Sequence, residues 1–353
     1  MKTAIIAITG NGAKIGARLK EGLEDTELFI PEKCSLLVGC SSKVYRESLK
    51  SLVEKLWNEV DALVCIMATG IVVRILSPLL ERKDIDPAVV VMDDIGNFAI
   101  SLLSGHLGGA NALADRCASL VGATAVITTA TDIHGLPSFD MLAKEHGWVI
   151  DELSRVKTLN TLLLENADIA VVDPTGLVER YFSGRGKLSY HADTTEALQS
   201  GAMGFLFVTN RSLPQQLQSP SLLVLRPRNL VLGIGCNSGT NAGEIEAVVR
   251  FNLKKLLLSE KSVKCIATAA AKRNEDGLLT FADKHSIPVI FYDSDELNGI
   301  RTPSPPSQYA MDAIGAAGVA EPAALLASGN GTLLLKKVKS GNVTLAIAEM
   351  KNI

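Results

Sequence analysis

Eight consecutive residues, Ser104-Gly105-His106-Leu107-Gly108-Gly109-Ala110-Asn111, bring together a histidine, a serine, an asparagine and three glycines. Glycines let the backbone approach a ligand closely and present its N–H groups, and a helix that follows adds its positive end. In such a loop His106 can transfer a proton or donate a hydrogen bond to an anionic or carbonyl-bearing ligand. The same composition also serves an ordinary tight turn, and the residues alone leave both readings open. Asp93 and Asp94 follow an apolar strand-like run, where α/β proteins place ligands. A carboxylate there can act as a general base or orient His106, or it can simply shape a hairpin.

Two further glycine loops sit between a predicted strand and a predicted helix: Gly10-Asn11-Gly12-Ala13-Lys14-Ile15-Gly16 and Gly233-Ile234-Gly235-Cys236-Asn237-Ser238-Gly239-Thr240. In both, the third glycine follows the second by four residues, so neither is a dinucleotide fingerprint, and neither ends in the Gly-Lys-Ser/Thr of a P-loop. Each can still aim N–H groups at an anion. Cys236 and Thr240 favour ligand contact at the second loop. As a nucleophile Cys236 competes with the plainer reading of a small side chain in a tight turn. Arg74, on the first turns of a predicted helix, opposes the helix dipole and is best explained by a carboxylate partner, from a substrate or from Asp93 or Asp94. Thr268 and Lys272 follow another strand end, with Glu275 as the expected structural partner of Lys272. Glu321 is expected to cap a helix.

These residues need elements to hold them. Short β-branched runs alternate with amphipathic segments, which predicts an α/β, multi-domain chain. Mixed, mostly parallel sheets with flanking helices are expected in the N- and C-terminal domains. Strands are expected over 3–8, 62–67, 88–92, 98–102 and 123–128, with helices over 13–21, 41–58 and 110–121. The C-terminal part restarts the pattern with strands over 229–234, 263–268 and 288–292, helices over 241–258, 275–285 and 321–328, and a closing hairpin of strands over 332–336 and 343–348. Three regions follow: 1–130, a middle region 131–225, and 226–353. The break at Arg226-Pro227-Arg228 marks the last boundary.

The chain has 353 residues, 47% of them hydrophobic, and a net charge of −3. No basic field argues for nucleic acid, and the 5% aromatic content gives little for bases to stack on. No apolar run reaches the roughly 18 residues of a membrane span, and the N-terminus has no secretory pattern, so a cytoplasmic protein is expected. Six cysteines without metal spacing predict no protein metal site. A homodimer is the expectation from the general frequency of two-fold oligomers.

Stretches at both ends of the chain carry a resemblance. Gly70-Ile71-Val72-Val73-Arg74, Asp86-Pro87-Ala88-Val89-Val90-Val91 and the 104–111 loop resemble the N-terminal part of the cobalamin-biosynthesis CbiG family. Gly233-Ile234-Gly235-Cys236 with Thr240 and Glu244, Thr268 with Lys272, and Gly318-Val319-Ala320-Glu321-Pro322 resemble its C-terminal domain. The resemblance implies hydrolysis of cobalt-precorrin-5A, opening a ring A δ-lactone and releasing acetaldehyde. The cobalt then belongs to the substrate, and no further cofactor is implied. For that chemistry His106 would be the acid/base, assisted by Asp94, with the Gly108 and Gly109 N–H groups as an oxyanion hole. Arg74, Lys83 and Lys272 would meet the carboxylates of a cobalt-corrinoid substrate, with Ser104, Asn111 and the second glycine loop as further contacts. A non-catalytic corrinoid carrier and a nucleotide-dependent enzyme are the competing readings.

Overall fold

Thr3–Ala7, Ala62–Ile66 and Ala88–Met92 are buried along their whole length, as strands covered on both faces must be. In the computed structural model, which describes residues 1–82, 85–217 and 219–351, they form the middle of a seven-stranded sheet. In chain order its strands are β1 (Thr3–Ala7), β2 (Thr26–Pro31), β3 (Lys43–Tyr45), β4 (Ala62–Ile66), β5 (Ala88–Met92), β6 (Phe98–Leu103) and β7 (Thr124–Val126). The spatial order is β3-β2-β1-β4-β5-β6-β7. The first five strands run parallel, while β6 turns back antiparallel to β5 and β7 follows β6. This sheet belongs to the first of two compact units, Met1–Met141; the second is Leu142–Ile353.

A single helix over 41–58 was expected, and the chain instead makes β3 and then helix Leu49–Leu56. Residues 43–45 pair with Phe29–Pro31 at the sheet edge. Ser48 then starts the helix by accepting the Ser51 N–H at 3.1 Å, a side-chain N-cap.

The second unit holds two five-stranded sheets. One comprises β8 (Val149–Ile150), β9 (Ile169–Val172), β10 (Leu188–Tyr190), β11 (Gly204–Val208) and β12 (Leu222–Arg226), in the order β10-β9-β11-β12-β8. The other comprises β13 (Leu230–Cys236), β14 (Val263–Ala269), β15 (Val289–Tyr292), β16 (Thr332–Ser340) and β17 (Val343–Glu349), in the order β15-β14-β13-β17-β16. Here β13, β14 and β15 are parallel, and β16–β17 is the expected antiparallel hairpin. Polar contacts join the two sheets: Lys261 donates to the Asp151 backbone carbonyl at 2.7 Å, and Asn210 donates to Glu349, which also accepts from Asn229; Arg226 holds the Asp151 carboxylate at 2.9 Å.

Helix Ala320–Ala327 lies directly on β13. A Cβ added at Gly233 would sit 1.8 Å from the Ala320 carbonyl oxygen, so only glycine lets the helix come this close. The contact places the start of that helix beside the carboxyl ends of β13 and β14. Among the described residues no helix is long and apolar enough to cross a membrane.

Candidate active site

The 104–111 loop closes on itself. Ser104 takes a left-handed backbone at φ 55° and donates its hydroxyl to the Asp86 carbonyl at 3.0 Å. A Cβ at Gly108 would lie 2.4 Å from the Ser104 Cβ, and one at Gly105 would lie 2.6 Å from the Asn111 Oδ1. Close packing therefore accounts for these two glycines. Gly109 takes φ 93° at the N-cap of helix Ala110–Val121. The Asn111 amide, expected to contact substrate, is engaged inside the protein. It accepts from Ser101 at 2.6 Å and donates to Thr129 at 3.0 Å and Asp132 at 2.8 Å.

His106 stands between two carboxylates, and neither is Asp94. Its Nε2 lies 2.8 Å from Asp132 and its Nδ1 lies 3.2 Å from Asp140. The Thr131 hydroxyl adds a contact at 3.2 Å to Nε2. Asp140 is buried and Asp132 is 43% exposed, so one face of this pair meets solvent. The hydrogen bond to Asp140, joined by that to Asp132, raises the imidazole pKa and outweighs the opposing effect of burial. The two carboxylates thus favour the protonated imidazole, and the ring exchanges protons on the side that meets solvent. Neither Asp132 nor Asp140 was picked out from the sequence. They lie 26 and 34 residues downstream of the histidine.

The expected partnership of His106 with Asp94 fails because β6 is antiparallel. Met92 pairs with Ala99 and Val89 with Leu103, so Asp94 and the 104–111 loop follow opposite ends of β5. By strand rise that separates them by roughly 17 Å. Asp94 instead accepts from the Thr9 hydroxyl and, at 3.5 Å, from the Asn11 amide. Asp94 thus holds the N-cap residue of helix Gly10–Gly22, Thr9, whose hydroxyl oxygen itself accepts the Gly12 N–H at 3.0 Å. Asp93 shapes the hairpin, accepting the Phe98 N–H at 2.7 Å.

Arg74 also departs from expectation. Its helix, Thr69–Leu76, is eight residues long, which puts the arginine in the last turn, where the dipole favours a cation. The guanidinium is exposed and donates to the Gly70 carbonyl at 2.8 Å. No carboxylate is needed to explain it. Lys83 lies outside the described residues.

The second glycine loop borders a cavity of about 420 Å³ at the carboxyl ends of β13 and β14. Gly235, Cys236 and Lys272 line it, as do Lys337 and Lys339, which sequence reasoning missed. These two lysines alternate on β16, on the same side of the strand, but the expected strand ended at 336, before both. The lining holds no Asp or Glu among the described residues. Thr240 and Thr268, expected as contacts, are buried behind it: Thr240 donates to the Asn237 carbonyl at 2.7 Å and Thr268 to the Ile234 carbonyl at 2.6 Å.

Lys272 and Glu275 pair at 2.9 Å, and the lysine holds the Glu275 carboxyl below its ordinary pKa. Glu275 also accepts the Gly239 N–H at 2.6 Å, so a carboxylate of the protein already sits on this glycine loop. Burial pushes the Cys236 thiol above its ordinary pKa, which disfavours the thiolate a nucleophile requires. Glu321 is buried and does not cap its own helix. It accepts from the Ser304 hydroxyl at 2.7 Å, the Ser304 N–H at 3.2 Å and the Lys337 N–H at 2.8 Å. It therefore ties the proline-rich 302–307 segment to β16. Among the described residues no group of three or more His, Cys, Asp or Glu side chains is arranged to hold a metal ion.

Comparison with known proteins gives matches along the chain. Residues 51–132 match the family described as Cobalamin synthesis G N-terminal, 137–227 the Cobalamin biosynthesis central region, and 230–348 the Cobalamin synthesis G C-terminus. A Priestia megaterium protein named cobalt-precorrin-5A hydrolase is 35% identical over 352 residues, which is 98% of this chain and 94% of that one. A Salmonella typhimurium protein of the same name is 32% identical over 302 residues, 81% of each chain. Protein CobE of a Sinorhizobium species is 31% identical over 121 residues, 34% of this chain and 79% of CobE.

Proposed function

We propose, from the premise that the chain belongs to the CbiG family of cobalamin synthesis, that it is a cobalt-precorrin-5A hydrolase. In this reading water adds to the carbonyl of the ring A δ-lactone and the ring C–O bond breaks, leaving a carboxylate and an alkoxide. The alkoxide collapses to the carbonyl of acetaldehyde as the neighbouring C–C bond breaks. That electron pair stays with the corrinoid until a proton quenches it. The cobalt is part of the substrate, and the reaction is placed in the cytoplasm.

One observation carries the reading: a cavity rimmed by Lys272, Lys337 and Lys339 and lined by no carboxylate among the described residues. A corrinoid at this stage bears carboxylates around its edge, and lysines on the rim meet them as point charges. In a partly desolvated cavity such pairs are worth more than on an open surface. We also propose proton transfer for His106, in the first unit, on its local geometry alone: Asp140 steadies it through Nδ1 and the half-exposed Asp132 faces Nε2.

The test is incubation with cobalt-precorrin-5A and trapping of acetaldehyde as its hydrazone. The wild-type chain is expected to release it. His106→Ala is expected to lose release while keeping corrinoid affinity, and a Lys337→Ala, Lys339→Ala double variant to bind about tenfold more weakly at low salt, with the gap closing as salt rises. No aldehyde from a folded, corrinoid-binding wild-type protein would overturn the reading.

A further inference from the structure

The cavity bordered by Cys236 and Lys272 is also lined by a seven-residue helix, Gln308–Ile314, that buries none of its residues. So short a helix has no stability of its own in water. Four tethers hold it. The Ser307 side chain accepts the Ala310 N–H, and the Ser307 N–H donates to the Ala317 carbonyl at 2.7 Å, pinching the base of the segment shut. At the far end Ser294 donates to the Ile314 carbonyl at 2.6 Å and Asn298 to the Gly315 carbonyl at 2.8 Å. Upstream, the prolines of the 302–307 segment stiffen the approach, and Glu321 anchors it through Ser304.

The helix is two-sided. Gln308 and Asp312 bond to each other at 2.8 Å, whereas Tyr309, Ala310, Ala313 and Ile314 all line the cavity. Tyr309 is 69% exposed, so a large aromatic ring is held at the cavity without a protein surface to cover it. Tethers, prolines and a buried carboxylate thus fix an apolar, aromatic wall in the same cavity as the lysine rim. A flat, largely apolar ligand with acidic edges satisfies both halves. An aromatic ring stacks on the flat part, and the ammonium groups meet the rim.

Resting on the hydrolase reading, we infer that Tyr309 and the apolar face behind it form the macrocycle-facing wall of the substrate site. In this arrangement the phenol ring stacks on the tetrapyrrole plane while Lys272, Lys337 and Lys339 hold the carboxylates. Tyr309 is a binding residue here, with no part in proton transfer.

The experiment measures dissociation constants by equilibrium dialysis of two cobalt corrinoids against the full chain. Cobyrinic acid carries rim carboxylates, and cobinamide carries amides in their place. Tyr309→Ala is expected to weaken both about tenfold, the size of one lost aromatic stacking contact. Tyr309→Phe is expected to stay within twofold of wild type, because the ring remains. Since the side chain is exposed, the melting temperature of both variants should match wild type, which separates lost binding from lost fold. Affinity for both corrinoids unchanged within twofold in Tyr309→Ala overturns the inference, as does a Phe variant as weak as the Ala variant, or a wild-type chain that binds neither corrinoid. Acetaldehyde release by the wild-type chain is scored separately. Release with an indifferent Tyr309 removes only the inference, and binding that depends on Tyr309 without release removes only the hydrolase reading.

Discussion

Replacing Gly233 by alanine tests whether the cavity depends on how closely helix Ala320–Ala327 rests on β13. The added Cβ would lie 1.8 Å from the Ala320 carbonyl oxygen and 2.8 Å from both the Ala320 carbonyl carbon and the Ala324 Cβ. Carbon–oxygen contacts settle near 3.3 Å, so the helix must retreat by about 1.5 Å. The obstacle is backbone and cannot rotate away, which puts the overpacking penalty at the upper end of its range, about 3 kcal/mol. Exchanging glycine for alanine in a strand returns about 0.5–1 kcal/mol. The net loss is about 2 kcal/mol, or a fall of about 4–8 °C in the melting temperature of a unit this size. Gly235→Ala is the matched control, two residues along the same strand, where the new Cβ would meet the Val319 Cβ at 3.4 Å, an ordinary contact. It is expected to be neutral or slightly stabilising. Thermal unfolding, with hydrogen exchange read at residues 320–327, compares the two. Because Gly318, Val319 and Ala320 line the cavity, the retreat should also weaken cobyrinic acid binding at least tenfold in Gly233→Ala. Equal melting temperatures and equal protection in the two variants would refute the close-contact argument.

The pH dependence of the first unit offers a second check. The folded-state pKa of His106 is raised above the unfolded value near 6.5, so its contribution to stability is fully present below about pH 6.5 and is lost as pH rises through the folded value. The melting-temperature gap between wild type and His106→Ala is therefore expected to shrink from pH 6 to pH 9; a constant gap would mean that the Asp140 and Asp132 contacts do not depend on charge. Asp94→Asn is expected to cost about 1 kcal/mol through the start of helix Gly10–Gly22 and to leave acetaldehyde release within twofold of wild type. A hundredfold drop in release would return Asp94 to the chemistry.

Much of the fold was legible because its signals are local. The buried runs 62–66 and 88–92 and the strand–loop–helix restart at 230 announce themselves through β-branched residues and glycine punctuation. Residues 26–31 form a strand that went unread, as did the short edge strand 43–45, since three residues at an edge leave no periodicity to detect. The site was legible by residue and not by partner. His106, Cys236 and Lys272 stand out by composition, and the Lys272–Glu275 pair is short-range enough to anticipate. The partners of His106 depend on where the segment after β7 returns, which no local pattern encodes. The assignment of Asp94 failed for a related reason: a reversal of one strand's direction moves every residue beyond it to the other edge of the sheet. Lys337 and Lys339 became visible only once β16 was seen to continue past residue 336, and helix Gln308–Ile314 is too short and too exposed to have signalled itself.

The carboxylate of Glu275, seated on the second glycine loop, behaves as a tethered competitor. A group fixed beside its own binding site acts at an effective concentration of about millimolar or more, and it never diffuses away. A nucleotide or inorganic phosphate arriving at the Gly239 N–H must first evict Glu275 from that amide. Loops that share the glycine punctuation of phosphate-binding proteins thus serve this chain as stiff corners.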